Sequence, residues 1–184
     1  MSLELECKLS IPSREEIAAR LLHLGAVNGG DTLERNWVFD TADGRLRAAG
    51  ILLRIRSTDN GAPPLLTVKK PAQAAEFKAR DEVEIAISSA ADGCAALEAL
   101  GFSPWWYYEK RRQTWTYGDC RIALDLLPEL GCFIEVEADT GDLIRELLQR
   151  LGMDARRHIA DTYLGLFMRR LAERGETLRE MRFA

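Results

Sequence analysis

The chain opens with an alternating stretch in which every second side chain is charged, Leu3-Glu4-Leu5-Glu6-Cys7-Lys8. In a β-strand, successive side chains point to opposite faces of the sheet. Glu4, Glu6 and Lys8 would therefore share one face, and the apolar residues between them would share the other. This spacing predicts a strand over residues 2–10 that has one charged face and one apolar face.

The same spacing of charged residues recurs along the chain, and single strands tend to carry one sign. It is found at Arg54 and Arg56; at Arg80, Glu82 and Glu84; at Lys110 and Arg112; and at Glu135 and Glu137. The residues between them are mostly apolar, as in Leu53 and Ile55. This pattern indicates a charged surface built to hold a polyanion together with metal ions, with carboxylates gathered apart from cations.

Length and composition favour a single globular domain. The chain has 184 residues, of which 47% are hydrophobic and 29% are charged, which is enough to bury a substantial core. We expect one domain over residues 1–175, followed by a polar and loose tail over residues 176–184. The net charge of −4 argues against a general nucleic-acid-binding protein, which is usually basic.

The sequence also predicts a cytoplasmic protein without membrane contact. No apolar run approaches the roughly 20 residues of a membrane span, and the first residues lack the apolar core of a signal peptide. The cysteines show no spacing typical of a zinc site and are expected to be reduced. They are Cys7, Cys94, Cys120 and Cys132.

Strand and helix patterns follow one another without an internal repeat. Besides residues 2–10, we predict strands over residues 33–40, 50–58, 64–70, 79–88, 105–117, 120–127 and 131–138. Ser13 and Glu16 form a capping-box pattern that starts a helix ending at Gly25. Further helices are predicted over residues 90–100, 141–151 and 158–173.

Eight strands joined mainly by short loops favour an α+β fold with antiparallel pairing. Eight strands also suffice to close a barrel that holds side chains or one small ligand. We predict a closed eight-stranded antiparallel β-barrel, a tunnel with a charged interior and with amphipathic helices packed on its outside. Inward-facing charges are tolerated in such a barrel because they meet opposite charges, metal ions and water.

The charged residues on the inward parity suit a triphosphate bridged by metal. Hard divalent cations such as Mg²⁺ or Mn²⁺ prefer carboxylate oxygens, which Glu-x-Glu pairs on two strands supply. Arginine and lysine side chains suit phosphate oxygens. Catalysis of phosphoryl transfer consists mainly of positioning and charge stabilisation.

In the order of these motifs, the sequence resembles the CYTH family, or triphosphate tunnel metalloenzymes, over about residues 2–170. This family includes class IV adenylate cyclases, thiamine triphosphatases and inorganic triphosphatases. The resemblance rests on Glu4-Leu5-Glu6-Cys7-Lys8, Leu53-Arg54-Ile55-Arg56, Leu66-Thr67-Val68-Lys69 with Pro71, Arg80-Asp81-Glu82-Val83-Glu84, Lys110-Arg111-Arg112, and Leu124-Asp125 followed by residues 130–137.

The resemblance implies roles for individual residues. One or two Mg²⁺ or Mn²⁺ ions would be bound by Glu4, Glu6, Glu135 and Glu137, with Asp125 close by. The catalytic group would comprise Lys8, Glu4 and Glu6. The phosphates would be held by Lys8, Arg54, Arg56, Lys69, Arg80, Lys110 and Arg112.

Other positions keep two interpretations open. Glu82 and Glu84 would either complete a metal site or orient the arginines. Asp161-Thr162-Tyr163 departs from the Ser-Tyr pattern of cyclase-like members, which puts a role for Tyr163 in closing the tunnel in doubt. The aromatic cluster over residues 105–108 would either stack a base or, more commonly for strand aromatics, pack within the protein.

The sequence therefore predicts metal-dependent hydrolysis of a triphosphate, inorganic or organic, by a monomer or homodimer. One alternative is a class IV-type adenylate cyclase that converts ATP to cyclic AMP and pyrophosphate. A further alternative is a non-catalytic module that binds polyphosphate or nucleotide. The expected partner is a small-molecule triphosphate, with no nucleic acid and no membrane.

Overall fold

We describe a computed structural model of the protein over residues 3–71 and 77–184, without the side chains of Leu3, Glu4, Lys78 and Arg80. The strands are β1 (Leu3–Ile11), β2 (Val27–Thr41), β3 (Leu52–Thr58), β4 (Leu65–Lys69), β5 (Lys78–Ala86), β6 (Phe102–Tyr117), β7 (Cys120–Leu127), β8 (Gly131–Ala138) and β9 (Glu180–Met181). The helices are α1 (Arg14–His23), α2 (Arg45–Ala48), α3 (Ala90–Ala99), α4 (Gly141–Arg150) and α5 (Tyr163–Arg174).

The strands form a curled antiparallel sheet in the order β2-β3-β4-β5-β1-β8-β7-β6. Strand β2 pairs with β3 on one side and with β6 on the other, which requires the sheet to curl. The predicted α+β fold with an eight-stranded antiparallel sheet and helices is confirmed. No helix in the described ranges is both long and apolar enough to cross a bilayer.

The two faces of β1 enter different environments, as the alternation predicts. Cys7, Leu9 and Ile11 belong to a buried apolar cluster. The cluster also contains Ile17 of α1 and Ile144 of α4. Burying apolar surface stabilises by roughly 25 cal/mol per Å², so these helices hold the apolar face of the sheet out of water. The charged face of β1 is left to face the opposite side.

Helix α5 departs from the prediction that the helices pack on the outside. Its residues Tyr163 and Phe167 cluster with Val38 of β2 and with Trp106 and Tyr108 of β6. These three side chains lie on the inner faces of their strands. The rings of Trp106 and Phe167 meet at 5.2 Å in an edge-on arrangement. Helix α5 therefore covers inward-facing residues, because this end of the charged interior carries an apolar patch.

Several boundaries differ from the predictions. Strand β2 starts at Val27 instead of residue 33, because Gly30, with a φ of 108°, and its polar neighbours hide the alternation at a bulge. The last helix starts at Tyr163 and not at residue 158. Before it, the Ile159 N–H donates to the Lys8 carbonyl oxygen at 2.7 Å, and Thr162 caps the helix.

The tail after Gly175 contacts the sheet, although its composition is polar. Strand β9 pairs in parallel with β6 through Tyr107 and Tyr108. Met181 is buried in the cluster that contains Phe167. The buried side chain of Met181 and the pairing of β9 with β6 attach the tail to the sheet, and the Phe183 N–H donates to Glu109 Oε2 at 3.1 Å. The division into a domain over residues 1–175 and a tail over 176–184 stays a prediction.

Candidate active site

A cavity of about 510 Å³ opens on the inner face of the curled sheet. Its wall contains most of the side chains that the sequence predicted for the site. These are Glu6, Lys8, Arg54, Arg56, Lys69, Glu82, Glu84, Lys110, Arg112, Glu135 and Glu137. Two predicted residues, Glu4 and Arg80, have side chains outside the described part of the chain. The charged residues that occupy every second position of these strands therefore line one cavity.

Carboxylates and cations form ion pairs along this wall, so they are less separate than the sequence led us to expect. Strand pairing places Lys8 opposite Glu135, Lys69 opposite Glu82, and Glu34 opposite Lys110. Cross-strand neighbours lie close enough to interact directly, and opposite charges favour the pairing. Each strand does carry mainly one sign, and strands of like sign are neighbours in the sheet, β3 beside β4 and β5, β1 and β8 in a row. Opposite charges meet where these groups of strands adjoin, and at single residues of the other sign such as Lys8 and Glu34.

Glu34 on β2 is the centre of one group of cations, and sequence reasoning missed it. Its carboxylate lies 3.3 Å from Lys110 Nζ, 3.7 Å from Arg56 Nη1 and 3.8 Å from Arg112 Nε. Burial alone would raise the pKa of Glu34, but Lys110, Arg112 and Arg56 hold it at about 2. Glu34 lies on the same face of the strand as Asn36 and Val38. Because neither of those carries a charge, no alternation of charged residues marked Glu34 in the sequence.

Asp125 on β7 lies beneath the wall and is fully buried. Arg112 donates to both of its oxygens, at 2.8 Å and 2.7 Å. Lys110 Nζ and the Tyr163 hydroxyl donate to Oδ2 at 3.2 Å and 2.8 Å. Every hydrogen bond here joins a donor to a carboxylate, so Asp125 holds two cations and one phenol in place. Its predicted role near the metal ions stays a prediction.

Lys8 forms ion pairs with carboxylates of both β1 and β8. Its ammonium group lies 3.1 Å from Glu135 Oε1 and 3.3 Å from Glu6 Oε1. Burial would lower the pKa of Lys8, but Glu135 and Glu6 raise it above its ordinary value. Lys8 therefore stays protonated and acts as a donor.

The wall at β3, β4 and β5 is a second network of arginines and glutamates. Arg56 Nη2 donates to Glu84 Oε1 at 3.1 Å, and the Thr67 hydroxyl donates to the same oxygen at 2.7 Å. Arg54 Nη1 lies 3.3 Å from the Tyr108 hydroxyl. Glu84 thus orients Arg56 through a fixed oxygen, which fits the second of the two interpretations left open for it.

Tyr163 and Arg121 also line the cavity, and neither was among the predicted site residues. Lys8 Nζ lies 4.2 Å from the centroid of the Tyr163 ring, and Lys110 Nζ lies 5.5 Å from it. Burial, together with Asp125 and Glu135, raises the pKa of Tyr163 well above its ordinary value, so it stays a neutral hydroxyl donor. Tyr163 lines the cavity despite the departure of its motif.

Glu6 and Glu137 are less well compensated than Glu34, Asp125 and Glu135, since Glu6 pairs with Lys8 at 3.3 Å and Glu137 pairs with Arg121 at 3.6 Å. Glu6 and Glu137 are direct cross-strand partners, and Glu135 lies two residues from Glu137 on the same face. Burial raises the pKa of Glu137, and the nearby charges of Glu135 and Glu6 raise it further against the opposing charge of Arg112. Like charges opposite each other are destabilising unless a cation lies between them. These oxygen donors fit a hard divalent cation.

No ready-made metal site is present within the described residues. No group of three Asp, Glu, His or Cys side chains in that part of the chain is positioned to hold an ion. Glu135 is engaged by Lys8 and Arg112. The fit to a divalent cation therefore rests on the oxygen chemistry of Glu6 and Glu137 and on their mutual repulsion.

The fold and this arrangement agree with a match to a known family. The model of the CYTH domain matches residues 2–163 of the chain. The chain belongs to the CYTH domain family. This CYTH domain is 25% identical over 173 residues to a candidate adenylate cyclase from Methanocaldococcus jannaschii, and the match covers 89% of this chain and 98% of that protein.

Solved structures share the fold of this CYTH domain. A candidate adenylate cyclase from Vibrio parahaemolyticus superposes with a TM-score of 0.79 at 20% identity, covering 91% of this chain and 98% of the other. A Hippeastrum protein described as an adenylyl cyclase candidate with a dominant triphosphatase activity gives a TM-score of 0.66 at 20% identity, covering 95% and 97%. At this identity the likeness shows the fold.

Proposed function

We propose that this CYTH domain hydrolyses a triphosphate with the help of Mg²⁺ or Mn²⁺, one or two ions. The observation that carries the proposal is the cavity wall, where cations and carboxylates share about 510 Å³. A binding site for a bare polyanion needs only the cations. The additional carboxylates of Glu6 and Glu137 suit a substrate that arrives with a divalent cation.

The phosphate groups would be held by the cations already gathered around buried carboxylates. Arg56, Lys110 and Arg112 surround Glu34, and Lys8 adjoins Glu135. Because these ammonium and guanidinium groups are oriented before the substrate arrives, little reorganisation is needed to stabilise charge on the transferring phosphoryl group. Lys8, as a protonated donor, would also help to orient the attacking water.

Glu6 and Glu137 would hold the divalent cation, with Glu4 and Glu135 as further predicted ligands. When bound, the cation neutralises charge on the phosphate oxygens. We assign Asp125 a positioning role instead, because Arg112, Lys110 and Tyr163 donate to its two oxygens. The proposed reaction breaks the terminal P–O bond of the triphosphate with water and releases orthophosphate and a diphosphate.

We also propose that the curled sheet forms a closed tunnel around the substrate. The pairing of β2 with both β3 and β6 supports this proposal. Tyr163 lines the cavity at the end that α5 covers. A triphosphate would then enter from the opposite end, where Arg121 and Glu137 lie opposite each other on β7 and β8.

Adenylate cyclase activity is the second candidate, favoured by the naming of the archaeal relative. A cyclase needs a base pocket beside the phosphates, so that the ribose 3′-hydroxyl attacks the α-phosphorus and pyrophosphate leaves. Trp106 packs against Phe167, and the Tyr108 hydroxyl lies beside Arg54. The aromatic cluster is thus used for packing and for orienting an arginine, which favours the triphosphatase.

One incubation series separates these functions. The purified protein is mixed with tripolyphosphate or with ATP, in Mg²⁺, Mn²⁺ or EDTA, and orthophosphate, pyrophosphate and cyclic AMP are measured. We expect orthophosphate and pyrophosphate from tripolyphosphate only when Mg²⁺ or Mn²⁺ is present. Cyclic AMP with pyrophosphate from ATP would establish the cyclase instead. Calorimetric binding of tripolyphosphate without any product would establish the non-catalytic module.

A further inference from the structure

Asn36 on β2 is fully buried, and neither its Nδ2 nor its Oδ1 atom has a hydrogen-bond partner. Buried amides in proteins are nearly always hydrogen-bonded, because a buried group without a partner forfeits its bonds to water. A leucine of similar shape would fill the same space without this cost. The amide of Asn36 therefore requires an explanation beyond packing.

The other buried side-chain atoms without a hydrogen-bond partner in the described residues lie in the same region. They are Glu34 Oε2, which keeps an ion pair with Lys110 Nζ at 3.3 Å, Arg54 Nε and Trp106 Nε1. Glu34 lies two residues from Asn36 on the same face of β2. Arg54 and Trp106 both pair with Val38, which lies two residues beyond Asn36. The unmade hydrogen bonds are thus concentrated at one place on the inner face.

Strand register sets which of these atoms can serve Asn36. Asn36 pairs directly with Arg56 on β3 and with Tyr108 on β6. Arg54 is therefore its diagonal neighbour on the same face, and diagonal neighbours are within reach of long side chains. Arg54 Nε lacks an acceptor, and Asn36 Oδ1 is an acceptor without a donor. The two atoms are chemically complementary.

Arg54 and Asn36 differ in their access to the cavity. Arg54, Arg56 and Tyr108 line the cavity, whereas Asn36 lies behind them and is not part of its lining. Arg54 is anchored at the far end of its guanidinium, where Nη1 lies 3.3 Å from the Tyr108 hydroxyl and Nη2 lies 3.9 Å from Glu84 Oε1. A second anchor at Nε would fix the plane of the guanidinium, and a planar fork needs this to bind phosphate through two hydrogen bonds.

We infer that Asn36 is a positioning residue for Arg54, and that its Oδ1 accepts a hydrogen bond from Arg54 Nε when the guanidinium turns to a phosphate in the cavity. This inference rests on the proposed function, since it concerns how the substrate's phosphate is held. Asn36 touches no substrate atom. It acts by restricting the orientation of an arginine that does.

The test compares Asn36→Leu, which removes the acceptor, with Asn36→Asp, which keeps one. A hydrogen bond to a charged group is worth about 1.5–3 kcal/mol, so Asn36→Leu should raise the KM for tripolyphosphate about tenfold or more. Its kcat should change much less. The KM of Asn36→Asp should stay close to that of the wild type. The dissociation constant for tripolyphosphate, measured by calorimetry in EDTA, should follow the same order.

Stability separates positioning from a structural role. If the amide serves Arg54 only with substrate bound, Asn36→Leu should melt at the wild-type temperature or above it. Trp106→Phe is the matched control, because it also removes an unpartnered buried N–H from the inner face but packs against Phe167. It should leave the KM unchanged.

Three results would overturn the inference. They are an unchanged KM in Asn36→Leu, an equal rise in KM in Asn36→Leu and Asn36→Asp, and a lowered melting temperature in Asn36→Leu. If the wild type does not hydrolyse tripolyphosphate at all, the proposed function fails. The calorimetric affinities of the same variants then decide the role of Asn36 separately.

Discussion

The cavity wall has two parts that compensate their carboxylates differently. On β2 and β7, Glu34 and Asp125 are each surrounded by two or more cations. On β1 and β8, Glu6 and Glu137 face each other across paired strands. Neighbouring cations hold the pKa of Glu34 at about 2, whereas burial and the carboxylates of Glu135 and Glu6 raise the pKa of Glu137.

This difference indicates what each part is for. Carboxylates embedded among cations orient those cations and prevent them from repelling one another. Glu6 and Glu137 face each other, and their ion pairs with Lys8 and Arg121, at 3.3 Å and 3.6 Å, offset the repulsion only in part, because the pKa of Glu137 stays raised. A divalent cation is the ligand that such a place favours. The phosphate-binding part is therefore organised by the protein itself, while the β1–β8 part is completed by its ligand.

The largest effect is expected from breaking the compensated part at Asp125. Asp125→Asn removes the counter-charge of two buried cations, Lys110 and Arg112. Removing one partner of a buried pair typically costs about 3–5 kcal/mol. Urea unfolding followed by circular dichroism measures this loss. Arg150→Ala, at an exposed pair with Glu146, should change stability by at most about 1 kcal/mol. A similar small loss for Asp125→Asn would contradict the comparison.

Acid should unfold the compensated part through Glu34. Because the pKa of Glu34 falls from 4.5 to about 2 on folding, its ionised form stabilises the fold above pH 4.5, and this stabilisation disappears between pH 4.5 and 2. The contribution is on the order of 3 kcal/mol. The difference in unfolding free energy between wild type and Glu34→Gln should therefore shrink over this range. A difference that stays constant from pH 5 to pH 2 would refute the assignment.

The β1–β8 part should respond in the opposite way. Glu137→Gln should lower metal-dependent turnover of tripolyphosphate about 100-fold or more, because charge stabilisation by a metal ion is worth several kcal/mol. Its melting temperature should stay equal or rise, since repulsion with Glu6 and Glu135 is relieved. Initial rates and thermal melts measure both. Asp142→Asn, an exposed residue of α4, is the control and should match the wild type. Full activity of Glu137→Gln would remove it from the metal site.

Arg56 tests whether the cations of the compensated part bind phosphate. Arg56→Ala removes a charge-assisted hydrogen bond to phosphate, which should raise the KM for tripolyphosphate about tenfold while kcat changes little. Steady-state kinetics of this variant beside Arg150→Ala measure the effect. An unchanged KM would mean that Arg56 serves only its partners Glu34 and Glu84.

Local patterns predicted much of this fold correctly. The alternation in β1, β3 and β8 was visible because charged and apolar residues are cleanly separated there. The start of α1 was visible because Ser13 accepts from the Glu16 N–H, as the capping pattern requires. The predictions were less accurate where tertiary contacts decide. The first part of β2 is polar, and β9 is held by the buried side chain of Met181.

The candidate site was predicted where the motifs carry charge at every second position. Glu34 and Asn36 escaped notice because their strand carries a single charge on the inner face at that point. Tyr163 was doubted because its motif departs from the family pattern, although its hydroxyl bonds to Asp125 at 2.8 Å. Such roles depend on partners that are distant in the chain, and no local pattern specifies them.

By itself, the sequence determined which side chains share a face, because alternation in a strand is a property of the local backbone. It also determined the family, because several motifs occur in the same order. The tertiary structure alone decided which strands are neighbours, and so which charges meet. The order β5-β1-β8-β7-β6 places Glu6 against Glu137 and Arg112 against Asp125. Coulomb interactions weaken with distance, so the same charges give a well compensated or a poorly compensated site according to this pairing.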